Sequence, residues 1–133
     1  PENKKFSIKC KKESIDFIQL VSPTTSNERM KKILRDSHGM IYYISMLSTT
    51  GGKLKVTPKK ILQNYNKIKN IYPSKNIVIG FGITDKTIAA LKKADGLVVG
   101  CHLCKTITNS LKNRLNTAKV LNKMVYKLKK KII

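Results

Sequence analysis

Apolar residues fall along this chain in two rhythms, and the alternation between them lays out its elements. Short runs rich in β-branched or aromatic residues occupy 15–21, 40–45, 77–79 and 96–100, bounded by proline, serine or glycine. Runs of that length and composition predict strands. Between them apolar residues recur every three or four positions, the spacing of one helical face. Thr25-Ser26-Asn27-Glu28 has the composition of a capping box, Met30, Ile33 and Leu34 follow as its buried stripe, and Gly39 ends the turn. Thr57-Pro58, a cap followed by proline in the first turn, starts a helix with Ile61, Leu62, Tyr65 and Ile68 on one face, broken at 72–74. Thr84-Asp85 predicts a further cap, with Ile88 and Leu91 inward and Asp95-Gly96 at the end. Ile107, Leu111, Leu115, Ala118, Leu121, Val125, Leu128 and Ile132 then predict one long helix with a core-facing stripe and solvated lysines. Residues 1–14 read as a lysine-rich helix with few apolar anchors, Phe6 and Ile8 among them.

The order is a helix followed by four strand–helix units, an α/β chain with a parallel sheet. Ile77 to Ile79 form the unbroken β-branched run expected of a strand covered by helices on both faces. No linker or low-complexity segment divides the chain, so 1–133 is expected to form a single domain. Four such units form either a small open sheet or half of an eight-unit barrel, and the pattern alone does not separate the two. No apolar run approaches the roughly twenty residues of a membrane span, and the basic start lacks the apolar centre of a signal peptide. A soluble, cytoplasmic protein is expected. The chain begins at Pro1 in what reads as a helix already under way, so a fragment or a processed chain is expected.

A formal net charge of +21 raises nucleic acid as a partner. Arginine, the residue phosphate and base recognition prefer, occurs only at Arg29, Arg35 and Arg114, while Lys, Asn and Ile are abundant and the lysines are spread over every predicted helix. Drift of the coding sequence towards A and T accounts for that balance, and nucleic-acid binding is not expected.

The chemistry concentrates at two strand ends. Gly80-Phe81-Gly82-Ile83-Thr84 follows one strand and Gly100 closes the next. Glycines let backbone approach a ligand closely, and helix N-termini nearby favour an anion, so the pair of ends predicts a phosphate cradle. Ser48-Thr49-Thr50-Gly51-Gly52 is polar and glycine-rich, as in loops that close over ligands. Cys101-His102-Leu103-Cys104 is a CxxC after a strand, where a thiol redox site would stand, yet no proline or tryptophan accompanies it, and no second close pair completes a zinc site. Asp16, Glu28, Asp36, Asp85 and Asp95 fall where capping and solvation account for them.

The succession Phe17-Ile18-Gln19-Leu20-Val21-Ser22-Pro23-Thr24-Thr25, Tyr42-Tyr43-Ile44-Ser45, Thr50-Gly51, Gly80-Phe81-Gly82-Ile83 and Asp95-Gly96-Leu97-Val98-Val99-Gly100 resembles the second half of the tryptophan synthase alpha subunit family. The resemblance implies a TIM (β/α)8 barrel of which this chain supplies strands five to eight. It implies retro-aldol cleavage of indole-3-glycerol phosphate to indole and glyceraldehyde 3-phosphate, with a beta subunit as partner in an α2β2 assembly. Pyridoxal phosphate belongs to that partner, and no cofactor is expected here. Carried over by position, Gly51, Gly82 and Gly100 would offer backbone N–H groups to the phosphate. Cys101 stands where the family usually has a serine, Phe81 would pack on the indole, Tyr42 would approach the reacting part of the substrate, and Thr50 would hold the mobile loop closed. Met46 and Ser48 replace an arginine and a glycine of that loop. The family's catalytic glutamate and aspartate come from its first half, so no catalytic residue is expected in this chain, and the isolated segment is expected to be inactive.

Overall fold

The computed structural model describes residues 4–45 and 56–133. Helix α1 (Lys4–Lys12) precedes strand β1 (Gln19–Val21), helix α2 (Asn27–Asp36), β2 (Ile41–Ile44), α3 (Pro58–Ile71), β3 (Ile77–Gly80), a single 3₁₀ turn at Ile88–Leu91, β4 (Gly96–Leu97), α4 (Cys101–Lys112) and α5 (Thr117–Lys130). The sheet order is β1-β2-β3-β4, every neighbouring pair parallel. The four expected strands are therefore present in sequence order, three of them followed by a helix and β3 by the 3₁₀ turn.

Local chemistry explains the helix starts. The Ser26 hydroxyl accepts the Arg29 N–H at 3.3 Å and the Thr57 hydroxyl accepts the Lys60 N–H at 3.3 Å, with Pro58 in the first turn where its missing N–H costs nothing. From those starts the stripes point inward as their spacing requires. Met30, Ile33, Leu34, Ile61, Tyr65 and Ile68 pack onto Ile41, Tyr43, Ile77 and Ile79 of the sheet in one core.

Only one face of the sheet is so covered. Ile41, Tyr43, Ile77 and Ile79 are buried, whereas the alternate residues Tyr42, Ile44 and Val78 are half-buried and Leu20 is 55% exposed. Burial by helices on both faces was expected, and among the described residues it does not occur. The unbroken apolar run reflects a second face that is apolar without being covered by these helices.

Other expectations change as well. Residues 15–21 contribute only Gln19–Val21 to the sheet, because Ser14 turns the chain at φ 56° and leaves Ile15 exposed. The strand over 96–100 is Gly96–Leu97, extended by the Val98 N–H donating to the Ile79 carbonyl at 2.8 Å. Phe6 and Ile8 do not anchor α1. Both are exposed, Phe6 meeting Phe17 edge-on at 5.5 Å, while Cys10 and Ser7 are buried. No regular helix follows Thr84. Thr87 Oγ1 accepts the Thr84 N–H and donates to the Gly82 carbonyl, both at 3.0 Å, and the Ile88 N–H reaches the Thr84 carbonyl at 3.0 Å, so the start of a helix is made, but the chain continues only as the 3₁₀ turn at Ile88–Leu91. Ile88 and Leu91 are nevertheless buried as expected.

The long basic helix is two. Asn113 closes α4, Arg114 takes φ 52°, and the Asn116 side chain accepts the Lys119 N–H at 2.9 Å to start α5. Helical spacing of Leu111 and Leu115 hides the break, but both are exposed, and of the eight stripe residues Leu128 alone is buried.

At the N-terminal end of β3, Asp95 Oδ2 accepts the Lys69 ammonium and the Ile77 N–H, each at 2.8 Å, while its own N–H donates to Tyr65 Oη at 3.2 Å. One carboxylate thus ties α3, β3 and the approach to β4. Burial raises its pKa, but Lys69 and the Ile77 amide outweigh that and hold it below the usual carboxylate range. The unfolded chain therefore binds this proton more readily than the folded one, so the stabilisation is complete above about pH 5 and is lost as pH falls further. Asp95→Ala is expected to cost about 1–3 kcal/mol at neutral pH by urea denaturation. The difference from the parent should shrink towards pH 3, and an undiminished difference there would exclude the ionic contribution.

Candidate functional site

A cleft of about 500 Å³ opens at the C-terminal ends of β2, β3 and β4, bordered by Tyr42, Phe81, Gly82, Gly100, Cys101 and Lys105. Each arrives by a different element. Tyr42 rises from the uncovered face of β2, Phe81 and Gly82 form the turn after β3, and Gly100 precedes α4, whose first turns carry Cys101 and Lys105.

The turn after β3 is built around the Tyr42 ring. A Cβ added at Gly80 would overlap Tyr42 Oη and Cζ, so any side chain there would displace the ring. Phe81 then takes φ 68° and Gly82 φ 69°. Glycine tolerates that conformation, but for Phe81 it costs about 1–2 kcal/mol, which the surrounding contacts must offset. In return the Phe81 ring stands edge-on to Tyr42, centroids 6.4 Å apart and planes at 88°, and remains 48% exposed towards the cleft. Ser45, wholly buried at the end of β2, places its hydroxyl 2.8 Å from both the Gly80 and the Phe81 carbonyls.

On the opposite wall Gly100 caps α4 without a side-chain bond, and a Cβ there would meet nothing within 4 Å. The first N–H groups of a helix lack intrahelical acceptors and carry its positive pole. Lys105, one turn on from Cys101, is the formally charged side chain on this cleft among the described residues. Aromatic edges on one side and amides with a lysine on the other suit a ligand that is part flat ring and part anion.

The structure brings Tyr42, Phe81, Gly82, Gly100 and Cys101 together as the sequence suggested. Thr50 and Gly51 lie outside the described residues. Thr84 borders the cleft, but the 3₁₀ turn after it begins at Ile88, so the helix N-terminus at the cleft is that of α4. Sequence reasoning passed over Lys105, whose spacing of four from Cys101 was a usable signal on a helix, and Ser45, a lone small polar residue ending an apolar strand.

The rival chemistry finds no support. Cys101 and Cys104 are exposed and unbridged, and Cys10 is buried in α1. No group of three or more His, Cys, Asp or Glu able to hold a metal occurs among the described residues. His102 faces Asp85 at 3.9 Å beside the cleft, a surface pair.

Comparison with known proteins is consistent across sequence and structure. A family model described as tryptophan synthase alpha chain matches residues 1–133. The tryptophan synthase alpha chain of Pelagibacter ubique (strain HTCC1062) is 70% identical over 132 residues, 99% of this chain and 50% of that one. A crystal structure of tryptophan synthase subunit alpha from Legionella pneumophila matches with a TM-score of 0.83 at 26% identity, over 98% of this chain and 47% of that chain. A structure of the tryptophan synthase α2β2 complex from Pyrococcus furiosus matches at 0.75 and 29% identity, over 95% and 50%. The chain spans about half the length of the curated relatives it matches. The neighbours are TIM barrels, so the four parallel units are half of such a barrel and the uncovered sheet face is the one a barrel turns inward.

Gly80→Ala should force the Tyr42 ring aside. The expected result is a loss of about 1–3 kcal/mol by urea denaturation, as for overpacked sites, partly recovered in Gly80→Ala with Tyr42→Leu. A neutral Gly80→Ala would show that the ring moves freely.

Proposed function

Because the chain belongs to the tryptophan synthase alpha chain family, we propose that it supplies the phosphate- and indole-binding half of a site that cleaves indole-3-glycerol phosphate to indole and glyceraldehyde 3-phosphate. The observation that carries the reading is the cleft itself, with the Tyr42–Phe81 edge-on pair and Gly82 on one side and Gly100 with the start of α4 on the other. Such a cleft, at the C-terminal ends of parallel strands, is where barrel enzymes bind substrate, and the ends of the last two strands are where many of them hold phosphate.

In this reading the indole lies against Phe81, the phosphate takes N–H groups from Gly51, Gly82 and Gly100, and Tyr42 approaches the reacting carbons. Thr50 helps close the loop. Carbon–carbon cleavage needs a proton delivered to indole C3 and one taken from the glycerol hydroxyl, so that the bonding pair passes to the ring as the aldehyde forms. Those tasks fall to carboxylates outside these residues. Residues 1–133 form one partial domain, the second half of a barrel, and act as a lyase only within a complete chain. The partner is a beta subunit in an α2β2 assembly, and the location is the cytoplasm. No helix among the described residues is long and apolar enough to cross a membrane.

Cys101 offers a thiol where a hydroxyl would bond phosphate better. In the full-length protein, Cys101→Ser is therefore expected to tighten glycerol 3-phosphate binding about fivefold by calorimetric titration. Unchanged affinity would put the phosphate elsewhere. The separated segment 1–133 is expected to give no indole from indole-3-glycerol phosphate, and turnover at the full-length rate would mean that a carboxylate of this segment does the chemistry after all.

A further inference from the structure

We infer that Ser45 is a positioning residue that aims the Gly82 N–H into the cleft by holding the carbonyl of the peptide that contains it. The inference rests on the reading of Gly82 as a phosphate donor and goes beyond it, since Ser45 touches no ligand. Ser45 is 0% exposed, and its hydroxyl lies 2.8 Å from the Gly80 carbonyl and 2.8 Å from the Phe81 carbonyl. A hydroxyl has one proton to donate. The Gly80 carbonyl also accepts the Ser45 N–H at 3.1 Å, so it keeps a donor whichever way the hydroxyl turns, whereas the hydroxyl is the donor the structure sets against the Phe81 carbonyl.

The Phe81 carbonyl and the Gly82 N–H belong to one planar trans peptide, in which C=O and N–H point in opposite directions. Drawing the carbonyl towards buried Ser45 therefore turns the N–H the other way, and Gly82 borders the cleft whereas Ser45 does not. Phe81 sits at φ 68°, where a side-chain-bearing residue stays only if its surroundings hold it. The Ser45 bond is one such restraint, fixed at the end of β2 by the parallel pairing of Ile44 with Gly80. A single hydroxyl thus links the end of one strand to the direction of a donor on the next loop.

The test uses ¹⁵N-labelled full-length protein titrated with glycerol 3-phosphate, following the amides of Gly82 and Cys101. In the parent both amides should move on binding. In Ser45→Ala the Cys101 response should persist, the Gly82 response should collapse, and the dissociation constant should rise about tenfold, the cost of one misdirected hydrogen bond to a charged group. Ser45→Thr keeps the hydroxyl and should restore the Gly82 response, while Ser45→Cys keeps the size but donates weakly and should resemble Ser45→Ala. A merely structural serine would lower the melting temperature in Ser45→Ala without separating the two amides. A full Gly82 response in folded Ser45→Ala or Ser45→Cys overturns the inference and leaves the phosphate reading standing. If neither amide moves in the parent, the phosphate reading falls and this inference with it.

Discussion

At the centre of this structure an aromatic ring and a strand backbone compete for one volume. The Tyr42 ring lies where a Cβ of residue 80 would stand, so the ring keeps its place over the end of β3 only because position 80 is glycine. Much of the cleft follows from that exclusion. With no side chain at 80, the ring can lean across the strand end, the next residue turns left-handed, and Phe81 meets Tyr42 edge-on instead of pointing back into the sheet. A small residue at one point thereby sets the position of two large ones.

The two ends of β3 divide the labour between stability and recognition. Its N-terminal end is fastened by Asp95, which satisfies the first strand amide and neutralises Lys69 in one carboxylate. Its C-terminal end holds strained backbone, an exposed aromatic ring and unfilled space. This polarity is the usual one for parallel strands within helices, where the bottom of the sheet serves stability and the top is left to the loops. The large net charge takes little part in either end. Most lysines lie on exposed helix surfaces, and Lys105 is the one that reaches the cleft among the described residues.

How much of this was legible depended on whether the deciding interaction was local. Helix starts at Ser26 and Thr57 were readable because a hydroxyl and an amide three residues on suffice to make them. The inward stripes of α2 and α3 were readable because burial on one side of a cylinder has a fixed period. The break between α4 and α5 was not, since Leu111 and Leu115 keep helical spacing through it and only Asn116 marks the new start. The turn after Thr84 was misjudged because the local signals of a helix start are all present, down to the Ile88 N–H on the Thr84 carbonyl, and they say nothing of how far the helix runs. In the cleft, Phe81, Gly82 and Gly100 followed from glycine-bounded strand ends and family resemblance. Ser45 did not, because its partners lie 35 and 36 residues away.

The strand order β1-β2-β3-β4 also sets how this part of the chain is made. Among the described residues each strand after β1 pairs with the one synthesised just before it, so these three pairings need no distant partner while the chain leaves the ribosome. Local pairing of this kind closes short loops and keeps the entropy of each docking step low. The final step is the least secure, because β4 contributes only Gly96–Leu97 and the 12-residue helix α4 starts just beyond it. The wall of the cleft that carries Gly100 and Cys101 is therefore assembled after the turn that carries Phe81 and Gly82, and until then the growing chain has its aromatic edge without the start of α4.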